Sequence, residues 1–383
     1  MGFLPFRSLC LEYCTGTVYE GRESRFYPQI QAIRCVTGQQ DGIGDYVHLA
    51  RYSISNDPYH TYNMGGSQYV DLITPQAYDP TIRWETTVTY NVGVDYGFFN
   101  DRLSGSIDAY IRDTKDLLNS VQVPMGSNFG NKLMTNIGSI RNKGLEFSIN
   151  AVPVQRPDLS VQLGFNGTFQ NTIFTKLNPT EDENYYIETG NISKGTGGYL
   201  CRQMVGYAPY TYYTYRQKYY PDGNPVQNEF VDLDGDGTIT ENDRYMTGKS
   251  AAPKFYYGLN MKVTWRNWDF GLNGHGAAGT WVFNDFASAN STASLDLNSG
   301  ALPNQARLVK KTGFTAPNSG QQWYSDYFLE NASFFRLDDI NLGYTFRGIG
   351  RWETDIRLAL GMQNVFILTG YSGMDPEVIS ENG

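Results

Sequence analysis

The chain has 383 residues, 40% of them apolar, 15% aromatic and 18% charged, with a formal net charge of −9. Its mean hydropathy is −0.44, and no window supplies the roughly 20 consecutive apolar residues of a transmembrane helix. This excludes a helical membrane protein but not a membrane β-barrel, whose strands are only half apolar. The acidic balance leaves no basic footprint for nucleic acid, and 29 Tyr, 21 Phe and 6 Trp are too many for a disordered chain.

Residues 1–34 show little sustained alternation. They also lack a basic start followed by an apolar run and a small-residue cleavage site, so no signal peptide is expected. Period-two alternation begins in earnest later. Between Thr87 and Phe98 the even positions (Val88, Tyr90, Val92, Val94, Tyr96, Phe98) are apolar or aromatic, and the odd ones are polar or Gly. That pattern predicts a half-buried strand. After the turn signal Asn100-Asp101-Arg102, Leu103 to Arg112 alternates again. Leu145–Ala151 and Leu159–Gln170 form a second predicted hairpin, and Phe255–Trp265 and Trp268–His275 a third. Ile340–Phe346 and Ile356–Met362 form a fourth.

About eight strands are therefore expected, with connections that alternate in length. Those at 100–102, 153–158, 266–267 and 347–353 are short, whereas 113–143, 171–253 and 277–333 are long. Short periplasmic turns opposite long extracellular loops are the habit of an outer-membrane barrel. The apolar faces of these runs carry no charge, as contact with lipid requires, since a mid-depth Lys or Arg there costs ~2–4 kcal/mol. Aromatic residues beside the short turns, including Phe98, Trp265, Trp268 and Trp352, suit the headgroup level. The expected fold is all-β, an antiparallel transmembrane β-barrel.

The segments WETTVTYNVGVDYGFFNDRLSGSIDAYIRDTKDLL, NIGSIRNKGLEFSINA, FVDLDGDGTITENDR, FFRLDDINLGYTF and GMQNVFILTGYSGMDPEV resemble the C-terminal barrel of SusC/RagA-type TonB-dependent outer-membrane transporters. The resemblance runs from about Val36 to the end. It implies a barrel of about 22 strands, of which residues 35–383 would form part, with the plug domain and the TonB-contacting segment absent. It further implies residence in the outer membrane of a Gram-negative, Bacteroidota-type bacterium. Energy would come from the TonB complex, and a SusD-like lipoprotein would act as lid. The implied cargo is oligosaccharide, or peptide in some members. The family would continue past Gly383 to a final strand, so the edges are expected to stand unpaired, which lipid does not tolerate. Residues 1–34 lie outside the resemblance and are expected to be non-native or read in a shifted frame, with a divergent loop as the alternative.

One motif carries ion chemistry. Asp232, Asp234, Asp236, Thr240 and Asp243 place oxygens at positions 1, 3, 5, 9 and 12 of an EF-hand-like loop. Gly237 stands at position 6 for the sharp turn, and Thr238 at position 7 would offer its carbonyl. This predicts a Ca²⁺ site in the 171–253 loop that stiffens a segment expected to lack an apolar core; an Asx-rich turn with solvated carboxylates is the alternative. The same loop holds the Tyr-rich run 206–223, in which Tyr210, Tyr212, Tyr213 and Tyr215 are candidate contacts for cargo or lid, or else packing within the loop. No catalytic constellation is evident: GxSxG, HExxH and P-loop patterns are absent from the sequence. The competing reading from another class is a secreted calcium-dependent carbohydrate-binding β-sandwich.

Overall fold

The computed structural model describes residues 9–13, 29–39, 43, 46–55, 62–65, 67–69, 72–122, 132–177, 185–195, 198–292, 306–315, 317–349 and 354–377. A ten-stranded antiparallel sheet dominates them, and every strand pairs with the next one in the chain. The strands are β1 (Leu9–Tyr13), β2 (Gln29–Gln39), β3 (Glu85–Phe98), β4 (Leu103–Gln122) and β5 (Lys132–Arg156). They continue with β6 (Leu159–Lys176), β7 (Phe255–Trp265), β8 (Trp268–Ala278), β9 (Phe334–Ile349) and β10 (Thr354–Thr369). The first pair adds to the eight strands expected from alternation, and β2 runs in register with β3 from Gln29↔Asp95 to Gln39↔Glu85. The sheet is not closed: β1 and β10 each pair on one side only among the described residues.

Directly opposite residues on antiparallel neighbours share a face, so register sorts the side chains. One face carries Val92 opposite Ala109, Ile107 opposite Phe147, Phe165 opposite Ile149 and Leu259, and Leu272 opposite Ile340. The other carries Asn91 opposite Tyr110, Asp108 opposite Glu146, and Asp269 opposite Gly343. The apolar face is uncovered: Ile107, Leu145, Leu163, Leu342 and Leu360 are all exposed. A β-sandwich buries its apolar face against a second sheet; no second sheet packs here among the described residues. The sandwich reading is thereby overturned, and the face is left for lipid.

The short turns gather on one rim and are stitched together. Val152 N–H donates to Arg102 C=O at 2.7 Å, Arg266 N–H to Asp158 C=O at 2.8 Å, and Thr345 N–H to Asn267 C=O at 2.9 Å. The first turn holds Asn100 and Asp101 at φ of 57° and 60°, a left-handed conformation that these short polar residues tolerate.

The long-loop rim departs from expectation. Residues 113–143 are not one long connection: β4 runs to Gln122 and β5 starts at Lys132, while 123–131 lie outside the described residues. Above the apolar belt both faces of a hairpin meet water, so the polarity alternation stops while the hydrogen-bond ladder continues. The expectation of a coreless 171–253 loop is also corrected. That loop builds a four-stranded sheet from Tyr186–Thr189, Cys201–Met204, Thr211–Tyr215 and Arg244–Ser250. The β8–β9 connection adds the pair Trp281–Phe283 and Leu329–Asn331 and the helices α1 (Asp285–Ala289) and α2 (Leu308–Thr312). Tyr212, Tyr215, Phe230, Phe283, Phe314 and Phe328 bury together, so the two connections share one apolar core.

Candidate functional site

The acidic loop leaves the strand Pro225–Phe230 and ends at a 3-10 turn, Glu241–Asp243, that leads into Arg244–Ser250. Gly235 and Gly237 adopt φ of 77° and 84°, the left-handed region that only Gly enters freely. These bends bring the carboxylates of Asp232, Asp234 and Asp236 within 4.8 Å of one another. The loop is also held by its own carboxylates. Asp232 accepts the N–H groups of Gly235 at 2.6 Å and Gly237 at 2.9 Å, and Asp236 accepts Thr238 N–H at 2.7 Å.

Asp243 plays a different part from the first three. It is buried, and its two oxygens accept Thr240 N–H at 2.8 Å and Leu233 N–H at 2.7 Å. With Thr240 Oγ1 accepting Asn242 N–H at 3.2 Å this is a capping box. The Thr240 N–H, then the Leu233 N–H, hold the Asp243 carboxyl below the ordinary carboxylate range. Thr238 stays exposed, its hydroxyl donating to Asp236 Oδ1 at 2.8 Å. The structure thus brings together Asp232, Asp234 and Asp236 and ties Thr240 and Asp243 into the turn beneath them.

The four tyrosines are mostly interior. Tyr212 is 1% exposed and Tyr213 and Tyr215 are each 7% exposed, while Tyr210 packs partly buried against the same core. The strand Thr211–Tyr215 is buried on both faces, so its rings meet each other and their neighbours. From the same run, Tyr219 and Tyr220 are about half exposed.

Sequence reasoning missed the arginines that organise these rings. Arg202 stacks 3.5 Å from the Tyr213 ring centroid and 3.9 Å from that of Tyr186, and pairs with Glu188 at 2.9 Å. Arg244 is buried, 4.3 Å from the Tyr213 ring and 4.8 Å from that of Tyr324, and donates to the carbonyls of Tyr199 and Tyr213. Tyr213 in turn donates its hydroxyl to the Glu241 carbonyl at 3.1 Å. The ladder therefore ends on the turn that closes the acidic loop. A cavity of about 570 Å³ opens nearby between this loop body and the segment after β10, lined by Ile192, Tyr212, Phe286, Tyr371 and Met374. Alternation around Tyr371 and Met374 is absent, which hid that wall from the sequence.

Comparison with known proteins places this architecture. Residues 45–365 match the family described as TonB dependent receptor-like, beta-barrel. The chain is 39% identical over 355 residues to the TonB-dependent receptor SusC of Bacteroides thetaiotaomicron, covering 90% of this chain and 34% of that protein. It is 29% identical over 371 residues to the TonB-dependent receptor P3 of Formosa agariphila, covering 89% of this chain and 35% of that protein. The chain thus spans about a third of the length of these curated relatives. Among solved structures it resembles the RagAB peptide transporter, with a TM-score of 0.73 at 22% identity over 97% of this chain and 40% of that one. The match over most of the chain, the open meander and its uncovered apolar face agree, and the chain belongs to the TonB-dependent receptor β-barrel family of the outer membrane.

Proposed function

We propose that this chain is barrel wall from a SusC-type TonB-dependent importer that takes up oligosaccharides or peptides with a SusD-like lipoprotein. The observation that carries this reading is the pairing of a lipid-ready wall with an ordered body of long loops above one rim. The wall supplies a wet inner face of Asn, Asp, Glu and Gly, and the loop body supplies a surface for a lid. In this reading residues 35–383 form the barrel part, and the plug and TonB-contacting segments belong to the complete protein. The test is uptake by cells producing that complete protein. Labelled oligosaccharide or peptide should enter only with TonB present and the proton gradient intact. Uptake that survives a protonophore overturns the reading.

The loop body also has a proposed metal. Asp232, Asp234 and Asp236 would hold Ca²⁺, with Thr238 and Thr240 at the remaining EF-hand positions and Asp243 beneath. Hard carboxylate oxygens, a left-handed Gly237 and the convergence of three acids fit that ion. Bound Ca²⁺ would offset carboxylate repulsion and stiffen the loop. Calorimetric titration of the complete protein should show saturable heat with calcium that Asp234→Asn removes, and an athermal titration would count against the site.

A further inference from the structure

The outward face of the sheet changes character just above its last apolar row. Going up from the short-turn rim, β4 presents Ile107, Ala109 and Ile111 on that face, then Asp113 and Lys115. Register carries the change sideways. Lys143 stands opposite Ile111, Arg141 opposite Asp113 and Ser139 opposite Lys115.

Lys115 and Lys143 are exposed. Arg141 chelates Asp113, through Nε at 2.6 Å and Nη2 at 3.1 Å. Among the described residues, Lys115, Lys143 and Arg141 thus share these rows with one carboxylate, Asp113. The flanking positions on the same rows, Thr86 and Val88 on β3 and Asn171 and Ile173 on β6, add no acid.

Height fixes what this shelf meets. The eight steps from Leu103 to Ile111 climb ~21 Å at ~3.4 Å per residue and a tilt of ~40°, most of the roughly 25 Å apolar belt. Four steps more bring Lys115 to ~31 Å, among the headgroups of the leaflet on the long-loop side. The cations continue the apolar belt on one face without a break. A soluble anion would use only the cations, whereas an amphiphile uses both.

We infer that Lys115 and Lys143, with the Arg141–Asp113 pair, bind the phosphorylated headgroup of an outer-leaflet glycolipid. Its acyl chains lie below, along Ile111, Leu145 and Phe169. The inference rests on the outer-membrane placement of the family and not on the identity of the cargo.

The test places the complete protein in phosphatidylcholine nanodiscs doped with lipid A and counts retained lipid A by native mass spectrometry. Lys115→Gln with Lys143→Gln is expected to retain on the order of tenfold less. Lys115→Arg with Lys143→Arg should retain as much as the parent. The lumen-side Lys262→Gln, opposite Gln162 and Gly271, should change nothing. Dephosphorylated lipid A should be held poorly by the parent itself, a comparison that needs no variant to fold. Equal retention of the two lipids, or retention indifferent to Lys115 and Lys143, overturns the inference. Displacement of lipid A by millimolar inorganic phosphate overturns it in favour of a soluble-anion site.

Discussion

Tyr96 reaches across Gly105, its direct cross-strand partner, and donates its hydroxyl to the Ser148 carbonyl at 3.1 Å. A Cβ on Gly105 would collide with that carbonyl and with the tyrosine oxygen. Gly164 is different: the nearest atoms a Cβ there would meet belong to the carboxamide of Asn260, which can swing toward the lumen. Gly105→Ala is therefore expected to destabilise the barrel by about 3 kcal/mol, the upper end of overpacking, and Gly164→Ala by about 1 kcal/mol or less. Thermal unfolding of the detergent-solubilised complete protein checks both, and the order of the two midpoints is the discriminating result.

Arg244 holds the loop body through one guanidinium nitrogen, Nη2, which donates to both carbonyls. Removing it leaves the Tyr199 and Tyr213 carbonyls without their donor and opens space between two rings. Arg244→Ala should cost about 2–4 kcal/mol locally. Arg244→Lys should recover little, because an ammonium lacks the planar guanidinium that stacks on the Tyr213 and Tyr324 rings while donating to the carbonyls. Hydrogen exchange along Thr211–Tyr215 and Arg244–Ser250 reads the loss, while the β7–β8 ladder keeps its protection.

Alkaline pH should loosen the same body. Cys201 is fully buried, and burial pushes its thiol up to about 12. The folded state thus holds that proton more tightly than the unfolded chain, whose thiol titrates near 8.5. The resulting stability is complete below about pH 8.5 and is lost as pH rises toward 12. Burial raises the Tyr212, Tyr213 and Tyr215 phenols in the same sense. Native protein at pH 9 should therefore resist alkylation at Cys201, read by peptide mapping, and unfolded protein should react. Cys201→Ala should flatten part of the alkaline decline in unfolding temperature.

Two tyrosines of one segment should respond to very different degrees. Tyr212→Ala empties a packed site and is expected to cost about 3–5 kcal/mol. Tyr219→Ala removes a half-exposed ring, 6.4 Å by centroids from Tyr327, and should change stability by about 0.5 kcal/mol. Lost uptake with intact stability would mark Tyr219 as a contact for cargo or lid, whereas loss at Tyr212 alone would follow its unfolding.

Much of the wall was legible because lipid imposes a rule on alternate residues. Val88, Val92 and Val94 are apolar since they face outward, and Asn91 and Asp95 are polar since they face water. The rule ends where the bilayer ends, and so did the legibility: Asp113 to Gln122 remains strand after its pattern has faded. In the loop body no such alternation arises, because Thr211, Tyr212, Tyr213, Thr214 and Tyr215 are buried on both faces. Nothing in the local sequence sets Arg202 and Arg244 apart; ring stacking, the Glu188 pair of Arg202 and the carbonyl acceptors of Arg244 come from the fold. In the acidic pattern at 232–243, position 12 turns inward to cap a turn, a placement set by the fold of the loop and not by spacing.

Composition looked that of a water-soluble chain, and spacing alone made it a membrane wall. A period of two is a local property, fixed by the strand pleat and by a solvent that differs on the two faces, so the sequence carries it. Which connections pool their rings into one core depends on residues about a hundred positions apart, such as Tyr212 and Phe314, burying in one cluster. The sharing of rows by Lys115, Lys143 and Arg141 is decided by register between two strands. Those relationships leave no periodic trace, and only the folded chain reveals them.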